Sequence, residues 1–377
     1  MDENAVTPSF ERRSFGKFFL PALCEVHPEI LDSIAEPMVA HRGSEMVALL
    51  KRIDERLRPF FRTDRHVLMV TCTATAFMEV AARSGVRNRV LSLVGGAYGE
   101  RFASICESVG NQVVRLNVPL GKTVEADMVD DALRRSPVDA VTLVHSETST
   151  GALAPLQELA EVVREHDDVL LLVDAVTSLG ASPIETDDWE IDFVFSSSYG
   201  ALGLPPGLVV AVASERLCDR AISLPDRGAS LDLISMQESA NEFQPTFTPA
   251  IPLIFGLDKQ LKRIEETGGV EARWRRHESM LELVEAWAEQ QSVGTGFKFL
   301  TDRGRRSHTV SCLEVPVGEN GRALAKTLLE GGHSIGSGYG RLKRETIRIG
   351  HMGDHTVDEL RNLLSALGEL VAGAQPE

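Results

Sequence analysis

Seven short apolar runs spaced through residues 65–213 constrain this chain more than any other feature in it. They are His66–Val70, Val90–Val94, Gln112–Val118, Ala140–Val144, Val169–Val173, Asp192–Phe195 and Leu208–Val212. Each is rich in aliphatic, often β-branched residues, and most are bounded by Gly, Ser, Thr or Asp. Such runs read as strands buried on both faces, because a strand with one wet face would alternate polar and apolar residues. Helical patterns such as Gly99–Val109 and Leu156–His166 lie between several of them. The alternation predicts an α/β fold, a mostly parallel seven-stranded sheet wrapped by helices. Ligands of such sheets gather at the carboxyl ends of the strands.

The flanking segments read differently. Glu45–Phe60 has an amphipathic helical pattern, and Pro252–Gln290 reads as a long, broken helical region. A smaller α+β pattern follows: strand Thr309–Val315, helix Gly321–Glu330, strand Thr346–Ile349 and helix His355–Ala372. The division this suggests is an N-terminal arm (1–20), a large unit (21–255) and a small C-terminal unit (256–377). A chain of 377 residues is long enough for two such units. The tail Ala372–Glu377 reads as frayed.

Composition narrows the partners. A formal net charge of -16 argues against nucleic acid, whose phosphates call for a basic surface. The five cysteines are scattered without a C-x-x-C pair, which fits neither a disulfide framework nor a zinc site and suggests a reducing cytoplasm. No histidine cluster has metal-ligand spacing, so no metal is expected. The polar start Met1-Asp2-Glu3-Asn4 does not read as a signal peptide. No apolar stretch approaches the ~20 residues that span a bilayer, so no membrane partner is expected.

Four places carry possible chemistry. Thr71-Cys72-Thr73-Ala74-Thr75-Ala76-Phe77-Met78-Glu79 follows the first strand and opens a helix, where backbone N–H groups can hold an anion or where the hydroxyl residues form an ordinary N-cap. Gly95-Gly96-Ala97-Tyr98-Gly99-Glu100-Arg101 sets an aromatic among glycines after a strand, either to lie against a planar ring or as a turn with an exposed Tyr. Asp174 ends the run Val169–Val173, where a buried carboxylate needs a partner. A protonated pyridine nitrogen is one candidate, and a helix cap or buried salt bridge are the others. Arg348, within Thr346-Ile347-Arg348-Ile349-Gly350-His351, can fork onto a substrate carboxylate or make an ordinary surface salt bridge.

Taken together, their order and spacing resemble those of the class V (fold-type I) pyridoxal-phosphate aminotransferases, in the alanine–glyoxylate/serine–pyruvate group. His41-Arg42, Glu147-Thr148-Ser149-Thr150-Gly151, Phe247-Thr248-Pro249-Ala250 and Arg348-Ile349-Gly350-His351-Met352-Gly353 extend the resemblance over residues 18–370. It implies pyridoxal 5′-phosphate as cofactor. It implies a phosphate loop at Thr73, Ala74, Thr75 and Ala76, and a ring-stacking Tyr98. Thr148 matches the residue near the ring oxygen, Asp174 the pyridinium partner and Val176 the residue under the ring. Thr248 matches a phosphate contact from a second subunit, hence a homodimer with shared sites. Arg348 matches the carboxylate clamp for small amino-acid and keto-acid substrates, with Ala22 and His41 nearby. The family's Ser-Gly-Thr-Gly is here Thr73-Ala74-Thr75-Ala76, and its Pro-Gly-Pro is Pro21-Ala22-Leu23-Cys24. Segments 145–151 and 296–300 also resemble the 2-aminoethylphosphonate–pyruvate branch.

One departure outweighs these. Ser196–Gly207 resembles the loop that carries the cofactor lysine, but Tyr199 stands where Gln is common and Gly200 stands at the lysine. Glycine offers neither the nucleophile nor the base that this chemistry uses. The resemblance therefore implies a transaminase site held inactive, with free cofactor or an external aldimine. The readings of Gly200 are an engineered replacement in a working enzyme (favoured because the surroundings are intact), a natural member using other chemistry, and a non-catalytic cofactor-binding scaffold. Lys343 matches a loop lysine and is not a substitute. Gly336-Ser337-Gly338-Tyr339-Gly340 reads as a flexible turn near the substrate entrance.

Overall fold

The computed structural model describes residues 15–294 and 296–372. The first part of the expected arm (1–14) and the tail beyond Ala372 lie outside the described residues. All seven expected strands form one sheet. Its spatial order is Leu68–Thr71, Leu208–Ala213, Phe193–Ser197, Leu170–Asp174, Ala140–Val144, Arg89–Val94, Gln112–Asn117. Four neighbouring pairs are parallel, and only Leu208–Ala213 runs against both of its neighbours. The carboxyl ends of the other six strands therefore share one edge of the sheet.

The central strands Ala140–Val144, Leu170–Asp174, Phe193–Ser197 and Leu208–Ala213 are buried at every residue. Their side chains alternate between two cores. Val141, Leu171, Val173, Val194, Val210 and Val212 face one, beneath helices Ser44–Phe61, Leu156–Arg164 and Ile251–Glu266. Leu170, Leu172, Phe193, Phe195, Val209 and Ala211 face the other, where helix Ala74–Gly85 brings Phe77 to 6.1 Å from both Phe193 and Phe195. Burial on both faces is why these runs are continuously apolar.

A five-stranded sheet follows the order Phe18–Phe19, Ser334–Ser337, Thr346–Gly350, Val310–Glu314, Lys298–Phe299. It packs on helices Gly269–Gly294, Gly321–Glu330 and Val357–Ala372 through a third core centred on Phe297, Ile347, Ile349 and Leu363. The expected helical region 252–290 is broken at Thr267–Gly268 into two helices. The expected flexible turn at 336–340 needs correction. Gly336 and Ser337 lie in a strand paired with Arg348 and Ile347, and a Cβ on Gly338 would meet the Leu342 carbonyl at 2.1 Å. Those glycines serve close backbone approach, not flexibility.

Candidate active site

The expected chemistry collects at the carboxyl edge of the large sheet. One cavity there is lined by Ala22, Ala74, Thr75, Met78, Tyr98, Arg101, Val144, Ser146, Thr148, Asp174, Val176, Thr177 and Tyr199. Each wall follows from a strand end. After Leu68–Thr71 the chain turns into helix Ala74–Gly85 with Thr73 at its N-cap. The Thr73 side chain makes no capping bond, and the leading amides of Ala74 and Thr75 find no acceptor among the described residues. Such amides can meet an anion.

After Arg89–Val94, Gly95 and Gly96 lead into helix Ala97–Ser108. This helix start is already satisfied. The Glu147 carboxylate accepts from Tyr98 N at 3.1 Å and Gly99 N at 3.0 Å, and Ser149 Oγ accepts from Ala97 N. A Cβ on Gly96 would lie 2.5 Å from Glu147 Cγ, so glycine admits the carboxylate that fixes Tyr98. Burial pushes the Glu147 carboxyl above its ordinary range, against the hydrogen bonds from Ser149, Gly99 and Tyr98 that pull it down.

Asp174 closes strand Leu170–Asp174 on the cavity floor, 4 % exposed. Its Oδ1 accepts from Val176 N at 2.8 Å, and it makes no ion pair among the described residues. Burial pushes this carboxyl up to about 7 despite the Val176 amide, and the nearby Glu147 pushes the same way. Thr148 and Thr177 approach through their hydroxyls at 3.4 Å, and Thr177 Oγ1 donates to Ser146 O.

Tyr199 reaches the cavity wall from the turn after Phe193–Ser197, and the next residue is Gly200 with φ +80°. This turn is tightly held. The Gly200 carbonyl accepts from Cys24 Sγ and Gly203 N, Ala201 O from Arg273 Nε at 3.0 Å, and Leu202 O from Gln260 Nε2 at 2.7 Å. Arg273 in turn pairs with Asp354. Among the described residues no lysine lines the cavity, and Lys343 is exposed on the turn Gly340–Lys343.

The cavity thus brings together Ala22, Ala74, Thr75, Tyr98, Thr148, Asp174, Val176 and Tyr199. The other expected site residues lie off its wall. Thr73 and Ala76 belong to the helix start beside it, and Gly200 presents no side chain. Thr248 is exposed on a segment tied to the first strand by Ala250 N→Thr71 Oγ1. His41 sits in the turn before helix Ser44–Phe61. Arg348 stands behind Thr148. Its Nε donates to Ser337 O at 3.0 Å, its Nη1 donates to Thr148 O at 3.1 Å, and its Cζ lies 5.4 Å from the Tyr339 ring centre. With Nε–H spent on Ser337, a carboxylate can meet this guanidinium only at its Nη end. Burial pulls its pKa down from the usual arginine range.

Sequence reasoning did not assign Met78, Arg101, Val144, Ser146 or Thr177 to the site, nor Tyr339 beside it. Arg101 lies one helical turn past Tyr98, so the i, i+3 spacing would have placed it on the same face. Tyr339, 6.2 Å from Tyr98, comes from the segment read as a loose turn.

The fold and this cavity define a fold-type I transferase, and the chain belongs to the aminotransferase class-V family, whose family model matches residues 24–340. An uncharacterized aminotransferase of Methanocaldococcus jannaschii is 32% identical over 341 residues, covering 89% of this chain and 87% of the relative. A 2-aminoethylphosphonate–pyruvate transaminase of Bacteroides fragilis is 32% identical over 297 residues, covering 77% and 79%. The crystal structure of an alanine–glyoxylate aminotransferase from Nostoc sp. superposes with a TM-score of 0.87 at 29% identity, covering 97% of this chain and 99% of that one. Pyridoxal phosphate is the cofactor this family implies. The cavity fits it on one observation of its own: Asp174 is a buried carboxyl that makes no ion pair among the described residues and feels only the through-space charge of Arg101, and a pyridinium N–H supplies the missing direct partner. No described helix is long and apolar enough to cross a membrane.

Proposed function

We propose that this chain binds pyridoxal phosphate without a covalent link and that its site is shaped for amino-group transfer between a small amino acid and a 2-keto acid such as pyruvate or glyoxylate. The unpaired Asp174 carboxyl carries the cofactor reading. Bound there, the cofactor supplies an electron-accepting ring. The chain supplies Asp174 to hold the ring nitrogen's proton, Tyr98 and Val176 to fix the ring plane, and the amides of Ala74 and Thr75, beside Thr73 and Ala76, for the phosphate. Thr148 borders the ring oxygen, and Arg348, with Ala22 and His41 near the entrance, orients the substrate carboxylate. Residues 21–255 carry the cofactor and 256–377 close over it. The exposed Thr248, beside Phe247 at 45% exposure, supports a homodimer in which this segment reaches the partner's phosphate site. The described free cysteines support a cytoplasmic location.

Glycine at the lysine position leaves the protein without its covalent anchor and main proton carrier, which impairs turnover. The backbone there supports a natural glycine over an engineered replacement. Position 200 is left-handed, and a Cβ would stand 3.1 Å from the Val176 carbonyl. Any L-side chain, lysine included, is strained in that conformation. The test is borohydride treatment of cofactor-loaded protein followed by intact mass: no mass added to the chain is expected, while a reduced adduct on the polypeptide refutes non-covalent binding. The Bacteroides relative supports a second reading, an aminophosphonate donor. Comparing alanine with 2-aminoethylphosphonate as donor to the Gly200→Lys protein separates the two. No activity with either favours a cofactor-binding scaffold without turnover.

A further inference from the structure

Arg101 is a cation on the wall of this cavity that no carboxylate pairs with directly among the described residues. It makes no hydrogen bond or ion pair among the described residues, although acidic residues outnumber basic ones 55 to 39 in the chain. Its neighbour Glu100 pairs with Arg115. The two carboxyls beside it make no ion pair with it either, although its charge reaches Asp174 through space and draws that carboxyl down against burial. Glu147 is spent on the amides of Tyr98 and Gly99, and Asp174 accepts from Val176 N. What holds Arg101 is the Tyr98 ring, whose centre lies 4.9 Å from its Cζ. A cation–π contact uses the face of the guanidinium and leaves its five N–H donors free. A planar fork of free donors, set by a ring and opening on a cavity, matches a phosphoryl oxyanion in geometry and charge.

We infer that Arg101 is an oxyanion-binding residue of this cavity and that its ligand is a phosphoryl or phosphonyl group. Two sources share that chemistry, the phosphate of the cofactor and the phosphonate of a substrate. The inference rests on the cofactor reading above, but its test separates the two. Cofactor-free protein and the variants Arg101→Ala and Arg101→Lys are titrated calorimetrically with pyridoxal 5′-phosphate, with pyridoxal, and with inorganic phosphate. Cofactor-loaded protein is titrated with 2-aminoethylphosphonate and with ethanolamine, which lacks the phosphonate.

If the cofactor's phosphate is the ligand, Arg101→Ala weakens pyridoxal phosphate by about tenfold or more and pyridoxal by less than about twofold, with partial recovery in Arg101→Lys. If a substrate phosphonate is the ligand, cofactor affinity holds and 2-aminoethylphosphonate loses about tenfold while ethanolamine does not. Equal losses for pyridoxal and its phosphate, or no change with any of these ligands, overturn the inference. If the native protein binds neither pyridoxal nor its phosphate, the cofactor reading fails by itself. Arg101 then stands or falls on whether Arg101→Ala removes inorganic phosphate binding.

Discussion

Cys24 Sγ donates to the carbonyl of Gly200 across 3.1 Å, joining residues 176 positions apart in the chain. The thiol is buried, and burial first, then the Asp354 carboxylate, pushes its pKa up to about 12. Cys24 is therefore inert as a nucleophile and acts as a donor. Alkylation of the native protein at pH 8, followed by intact mass, leaves Cys24 unmodified. Cys24→Ala costs about 1 kcal/mol of stability, as expected for one weak hydrogen bond and a small void. Amide exchange of Gly203, whose N–H shares the same carbonyl, accelerates in that variant.

Asp174 sets function against stability. Its carboxyl sits at about 7 in the cofactor-free protein, against an ordinary value of 3.8. A raised folded-state pKa means the native state binds the proton more tightly. That stabilisation is complete below pH 3.8 and is lost as pH rises through 7. Asp174→Asn is isosteric and carries no charge. It raises the stability of the cofactor-free protein above pH 7, by of order a few kcal/mol at most, and with it the Tm, and the advantage disappears toward pH 4. The same variant weakens pyridoxal phosphate by about tenfold or more, because a charge-assisted bond to the ring is gone. Thermal scans across pH with and without cofactor check both halves.

Acid weakens this protein through its buried histidines. Burial pulls His145 and His351 down to about 3 from 6.5, and His308 adds to both. A depressed histidine takes up its proton on unfolding, so its contribution is complete above pH 6.5 and erodes as pH falls from there toward 3. The urea midpoint therefore falls steadily from pH 7 to pH 5. His145→Asn or His351→Asn flattens that slope by up to about one proton each. An unchanged slope in both variants shows that these rings do not govern acid lability.

Position 200 offers a backbone test. Gly200→Ala and Gly200→Lys each lose about 1–2 kcal/mol, because both place a Cβ on a left-handed residue. Equal losses locate the cost in the backbone. A loss confined to lysine indicts the side chain instead.

The large sheet was legible in the chain because its central strands are buried on both faces and therefore uniformly apolar; the edge strands Leu68–Thr71 and Gln112–Asn117, expected to be as buried, are only half-buried because each has one neighbour. Tyr98, Thr148 and Asp174 were legible because each follows such a strand. Strand Ser334–Ser337 was not, since Gly336 and the following Gly338 mimic a turn, whereas Gly336 leaves room for Pro21 and Gly338 for the Leu342 carbonyl. Arg101 carries no local mark beyond its helical spacing from Tyr98. The placement of Arg348 behind Thr148 depends on a contact between residues 200 positions apart, which periodicity does not encode.

The turn Gly200–Leu202 is tied to Cys24, Gln260 and Arg273, with Asp354 behind them. Its anchors come from opposite ends of the polypeptide. A ribosome must release nearly the whole chain before they can meet, and contacts this distant in sequence form slowly. The turn that follows Tyr199 is thus among the last parts of the cavity's surroundings to be fixed during synthesis. A nascent or truncated chain can build much of the seven-stranded sheet and still leave this turn unanchored.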